Sequence, residues 1–252
     1  MLVAALDTST LTLSCALCEV ARGEVRVVAE RTERAPAKPG PQGSTGGHGA
    51  RLPGVLLELV AGAGKGLADV EGYAVGLGPG SFTGLRIGLA TWKGLAYAQR
   101  RPIAGVSSLA AMALDAAAKA PEGALLVPLL DAKKAELYAG FYRVGSGAVE
   151  AVVPEVALAP GALAARLAAL ADARPIVFGN GLAADGGALA SALRLSPDVP
   201  TPSAAAVARL SAAALEGAPH DPARLFALEP HYIRPSEAEL KFPHGLGPRA
   251  VR

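Results

Sequence analysis

The stretch from Val75 to Gly94, VGLGPGSFTGLRIGLATWKG, leaves the backbone fewer options than any other part of this chain. Glu71 to Gly76 is a short apolar run ending in glycine, the pattern of a buried strand that must turn sharply. Gly76, Gly78 and Gly80 open backbone angles closed to residues with a Cβ, while Pro79 fixes one turn position and removes an amide donor. Ser81 or Thr83 suits an N-cap, and Leu85, Leu89, Trp92, Ala96 and Gln99 then recur at helical spacing until Pro102. The spacing predicts strand, glycine turn and helix in succession. Ile87, Thr91, Gly94 and Ala98 lie on the opposite helical face, so the helix is nearly apolar all round and needs cover on two sides. One cover is its own sheet, and the other is a partner helix, which Gly84, Gly88 and Gly94 would let approach.

A glycine turn at a helix N-terminus also suits an anion, because free amides and the helix dipole point outward together. Two readings therefore stand for Gly78, Pro79, Gly80, Ser81, Phe82, Thr83, Gly84 and Arg86: a structural turn or a phosphate cradle. Neither GxxxxGK[ST] nor GxGxxG is present. Ser81 lacks the flanking glycines of a nucleophile elbow, since Pro79 and Thr83 occupy those positions.

Leu2 to Leu6, Leu11 to Val20 and Glu24 to Glu30 read as three strands, with Arg22 and Gly23 turning the last pair. Thr32 to Gly49 is too rich in Pro and Gly to pack a core. A helix follows, with Leu52, Val55, Leu56, Leu59 and Val60 on one stripe. Ile103 to Val106 is a strand, and Ser107 or Ser108 caps a helix running through Ala120. The first half thus reads βββαβαβα. Ala124 to Asp131, Ala135 to Val144 and Ala148 to Val153 then repeat the three-strand opening. Leu163 to Leu170 and Ser203 to Glu216 are helical, with a short strand at Pro175 to Phe178 and a glycine loop at Gly179 to Gly181 between them. Pro-rich chain follows from Pro219, with a basic tail after Ala238.

Asp7, Thr8 and Ser9, with Asp131 at the corresponding strand end of the second half, are candidates for a vestigial phosphate site, or simply order their turns. Cys15 and Cys18 form one C-x-x-C with no second pair, and His48 has no second histidine at short helical spacing. No metal site is expected from either. Charged residues make up 18% and the net charge is +2, too little to mark an electrostatic nucleic-acid binder. No apolar run reaches the roughly 18 to 20 residues of a membrane span, and no basic leader is visible, so a cytoplasmic location is expected.

The glycine loop with its helix resembles the signature of the TsaB (YeaZ) family. LDTST at Leu6 to Thr10, LLDAKKAELYAGFY at Leu129 to Tyr142 and PHYIRPSEA at Pro230 to Ala238 agree with that family in order and spacing. The resemblance implies an α/β fold of two ribonuclease-H-like domains of the actin and sugar-kinase superfamily, each a mixed sheet flanked by helices. The expected divisions are 1–107, a smaller degenerate domain at 108–220, and a C-terminal segment at 221–252. It also implies a non-catalytic subunit, without a cofactor, that pairs with TsaD and works with TsaE in threonylcarbamoyl transfer to N6 of adenosine in ANN-decoding tRNAs. Contact with tRNA would be indirect, and the chain alone would form a homodimer. The pairing surface is expected at Leu52, Val55, Leu56, Leu59, Leu85, Leu89, Trp92 and Ala96, so that Leu85→Arg or Val55→Glu would dissociate the pair and leave the monomer folded. The alternative is a nucleotide-dependent phosphotransferase of the sugar-kinase type, with Asp7 or Asp131 as base or metal holder.

Overall fold

The computed structural model describes residues 1–34, 48–170, 175–196 and 198–234. Most of the Pro/Gly stretch and the basic tail lie outside these residues.

The first sheet is built from β1 (Leu2–Asp7), β2 (Thr12–Ala21), β3 (Glu24–Arg34), β4 (Gly72–Gly76) and β5 (Ile103–Val106), in the order β3-β2-β1-β4-β5. β3, β2 and β1 run antiparallel to their neighbours, and β1, β4 and β5 run parallel. The second sheet uses β6 (Leu125–Lys133), β7 (Glu136–Val144), β8 (Val149–Leu158), β9 (Ile176–Phe178) and β10 (Leu193–Arg194). Its order, β10-β9-β6-β7-β8, repeats the first sheet's topology with a new antiparallel meander and a new parallel crossover. This is the doubled ribonuclease-H-like arrangement that the sequence resemblance implies.

Helices α1 (His48–Gly62) and α2 (Phe82–Ala98) cover one face of the first sheet. Both crossovers that return the chain to a parallel strand need such a helix. Ser81 is the N-cap of α2, its hydroxyl accepting from the Gly84 amide at 3.2 Å. α3 (Ser108–Ala117) is capped by Ser107, which accepts from the Leu109 and Ala110 amides, and packs on the second sheet. α4 (Pro160–Ala169) covers that sheet's far face.

α5 (Ala204–Leu215) does not stay with the second sheet. It crosses back and packs its alanine face against β1, β2 and β4 of the first. Its N-terminal Ala204 amide donates to Ser14 Oγ at 2.8 Å, and at its other end Glu216 accepts from the Arg22 and Gly23 amides of the β2–β3 turn. Those two bonds hold the Glu216 carboxyl below its ordinary range. The layers run α1 and α2, first sheet, α5 with α3, second sheet, α4. α6 (Pro222–Ala227), which the Pro-rich sequence hid, is capped by Asp221 and lies on α2.

Candidate functional site

A cleft of about 1010 Å³ opens between the halves, lined by both sheet-end hairpins, the glycine loop and the C-terminal segment. Ser9, Thr10, Gly80, Ser81 and Phe82 face it from the first half. Asp131, Lys133, Tyr138 and Asn180 do so from the second, and Tyr232 and Arg234 close one side.

Asp7 is not open to this cleft. It is buried, with Oδ1 accepting from the Ser9 amide (2.8 Å) and hydroxyl (2.6 Å), and Oδ2 accepting from Ser108 Oγ (2.6 Å). The glycine loop sits directly on the hairpin that Asp7 starts. A Cβ on Gly76 would meet Asp7 Oδ2 at 2.0 Å, and one on Gly80 would meet the Ser9 carbonyl at 2.1 Å. Ser81 N–H donates to that same carbonyl at 2.6 Å, and Thr8 Oγ1 donates to the Gly84 carbonyl at 2.9 Å. The glycines at 76 and 80 are thus required by close approach of chain to chain. Three of the loop's amides are spent within the chain: Gly78 N–H donates to Ser108 Oγ at 3.1 Å, Ser81 N–H to the Ser9 carbonyl and Gly84 N–H to Ser81 Oγ.

Asp131 is also committed, though at the surface of the cleft. Its carboxylate accepts from the Lys133 amide (2.8 Å) and Nζ (2.6 Å). Burial opposes the charge, but the Lys133 bonds and ammonium outweigh it and hold the carboxyl below its usual range. The hairpin there is strained: Lys133, Lys134 and Ala135 have φ of 63°, 53° and 58°, the left-handed region that favours glycine. The loop at Gly179 to Gly181 packs onto β6, where a Cβ at Gly179 would meet the Leu129 carbonyl at 2.2 Å. Asn180 Oδ1 accepts from the Asp131 amide at 3.1 Å.

The eight residues expected to carry a partner interface are placed otherwise. Leu52, Val55, Leu56, Leu59, Leu85, Leu89, Trp92 and Ala96 are all buried within this chain, where all but Leu85 belong to one core cluster with Tyr73 and β1. Trp92 Nε1 donates to the Ala4 carbonyl at 2.9 Å, which fixes α2 against the sheet. The periodicity identified a buried stripe correctly, but what buries it is the chain's own sheet. Gly84 and Gly88 also face inward: a Cβ at Gly88 would strike Thr8 Oγ1 at 2.3 Å. Gly84 is buried on α2 like Gly88, whereas Gly94 faces open space. The outward faces carry Leu57, 54% exposed, and Tyr97, 53% exposed, with Ala61 and Ala90 exposed beside them. Arg86 lies over the Phe82 ring at 4.0 Å to the centroid.

Cys15 and Cys18 are buried on β2, in different core clusters. The side chain of His48 lies outside the described residues. Among the described residues no three His, Cys, Asp or Glu side chains converge as a metal site. No helix among them is long and apolar enough to cross a membrane.

The model of the family described as TsaD: tRNA N6-adenosine threonylcarbamoyltransferase matches residues 33–178. The Haemophilus influenzae tRNA threonylcarbamoyladenosine biosynthesis protein TsaB is 37% identical over 134 residues, 53% of this chain and 50% of its own. The Bacillus subtilis protein of the same name is 32% identical over 155 residues, 62% of this chain and 61% of its own. The matched stretch therefore spans only half to three-fifths of these two curated relatives. Among solved structures, YeaZ from Pseudomonas aeruginosa superposes with a TM-score of 0.69 at 27% identity, covering 92% of this chain and 99% of that one. A family match over more than half of its residues, curated relatives that carry the TsaB name and the shared double fold of YeaZ place this chain in the TsaD-like family, among its TsaB (YeaZ) members.

Proposed function

We propose that this chain is a non-catalytic subunit in the formation of threonylcarbamoyladenosine on tRNA, pairing with TsaD and acting with TsaE. The observation that carries the reading is the fate of the two strand-end carboxylates. Asp7 is sealed under the glycine loop by hydroxyl and amide donors, and Asp131 is neutralised by Lys133. Catalysis of phosphoryl transfer needs a carboxylate free to hold a metal or a nucleophile. Neither is free, which weighs against the phosphotransferase alternative, although the cleft itself has room for a small molecule.

The pairing surface, in this reading, is the outward face of α1 and α2 rather than the stripe beneath it. Leu57, Ala61, Ala90 and Gly94 are exposed there, and so is Tyr97, whose ring also meets His220 and Phe226 of this chain. Such a face admits a pair of helices from TsaD, or from a second copy when the chain is alone, over the roughly 800 Å² per partner of a standard interface. tRNA is then met through the assembly, consistent with a net charge of only +2.

An omission assay tests this. Threonylcarbamoylation of tRNA is reconstituted from TsaD, TsaE, the carbamoyl-adenylate synthase and tRNA, with and without this chain. Product should form only with it. Equal product without it would end the proposal.

A further inference from the structure

The segment Pro230–Arg234 belongs to no sheet and no helix, yet it touches both halves. On the first half, the His231 amide donates to the Leu77 carbonyl at 2.7 Å, just after β4. Tyr232 stacks on Phe82 with ring centroids 5.4 Å apart, and its hydroxyl accepts from Arg86 Nε at 2.9 Å. On the second half, Arg234 pairs with Glu136 of β7 at 2.8 Å, and His231 Nδ1 lies 3.2 Å from Oε2 of Glu155 on β8. Glu155 is a buried node. Its Oε1 accepts from Tyr142 of β7 and from Ser107, the cap of α3 at the crossing between halves. Its Oε2 is buried and has no donor in hydrogen-bonding geometry, so His231 approaches it closely without completing a bond. Tyr232 and Arg234 meanwhile form part of the cleft wall.

We propose that Pro230–Arg234 is a latch that holds the cleft closed. It is fastened to the first half by an aromatic and arginine clamp and to the second by two polar contacts, one of them incomplete. These bonds are few, only partly buried and unsupported by a sheet ladder, which is the profile of a segment that opens below the global unfolding free energy. Its release would unlink Phe82 and Arg86 from Glu136 and widen the cleft from one side, while α3, the returning α5 and the Ser108–Asp7 bond still join the halves. The inference does not depend on the proposed pairing with TsaD and is tested on the isolated chain.

Amide hydrogen exchange followed by mass spectrometry, on the full chain, gives the test. Two variants are compared with the parent: Tyr232→Ala, which removes the clamp, and Glu136→Gln, which weakens the opposite fastening without touching the latch. The informative amides are Ser9 and Thr12, which line the far side of the cleft and are held by Asp7 and Thr10 rather than by the latch. Both variants should speed exchange there about threefold or more, while core peptides of β1 and β6 keep the parent's rate. If exchange rises only in peptides that contact the latch, the segment is a passive cover and the proposal fails. If Tyr232→Ala does not fold, Glu136→Gln decides by the same criterion.

Discussion

Ser108 Oγ donates to Asp7 Oδ2 at 2.6 Å, joining residues 101 apart at the seam between the two halves. A carboxylate in this position acts as a structural acceptor for three donors. Asp7→Asn keeps one acceptor oxygen but sets an NH₂ group among hydroxyls and an amide. The expected loss is about 1–3 kcal/mol by urea denaturation, the cost of leaving buried polar groups mismatched. Unchanged stability would mean that the carboxylate does not hold the seam.

Gly76→Ala and Gly80→Ala should be worse tolerated than their chemistry suggests. Each places a methyl group about 2 Å from an oxygen that is itself fixed, Asp7 Oδ2 or the Ser9 carbonyl. Overpacking of this kind costs about 1–3 kcal/mol or more. Gly94→Ala, on α2 beyond that loop and facing open space, should be neutral or slightly stabilising in the isolated chain, because alanine is the better helix former. Thermal denaturation of the three variants checks the contrast.

Val55→Glu and Leu85→Arg, at 4% and 1% exposure, should unfold the monomer instead of releasing a partner. Leu57→Glu and Tyr97→Glu place the charge on the outward face. They should leave circular dichroism unchanged and abolish co-purification with TsaD or with a second copy. Retained pairing in both outward variants would refute the proposed surface.

The thiols give a pH dependence with a definite sign. Burial, reinforced by the neighbouring Cys18 and Glu30, pushes Cys15 up from an ordinary 9.0 to about 12, and burial with Glu30 pushes Cys18 to about 11. The folded chain therefore holds these protons more tightly than the unfolded one. Stability should be level with respect to these groups below pH 9.0 and fall as pH rises from there through 11 and 12. Iodoacetamide at pH 8 should leave both cysteines intact in the native chain and modify both in urea.

Lys134 and Ala135 form a two-residue hairpin loop with both residues left-handed. Replacing them by Asn-Gly, which such a turn favours, should raise stability by about 1 kcal/mol. A fall would show that Lys134 makes a contact worth more than the strain it carries.

Much of the fold could be read from the chain because local chemistry agreed with the global arrangement. Ser81, Ser107 and Ser203 all cap the helices that follow them, and the glycine at 76 ends its strand. Two failures share a cause. β8 continues to Leu158, past the Val153 at which the sequence reading ends it, because an edge strand tolerates Pro154, a residue without a donor. α6 was concealed among prolines, though Asp221 followed by Pro222 is a sound helix start. The site was less legible than the fold. An apolar stripe states that a surface is buried and is silent about what covers it; on α1 and α2 the stripe expected to meet a partner lies against the chain's own sheet. Glu155, Ser107, Tyr142 and His231 meet only through tertiary structure, and no spacing in the sequence announces them.

The return of α5 to the first sheet carries a consequence for how the chain is made. β1 and β2 leave the ribosome long before the helix that covers their inner face, which begins at Ala204 and is tied to Ser14 across 190 residues. Contacts of such long range slow folding, since the intervening loop must close before they form. The first sheet must wait until α5 has been made with Val3, Ala5, Ala16 and Cys18 lacking its cover. A chain cut off before α5 would keep that face exposed, and its natural fate is aggregation rather than a folded half.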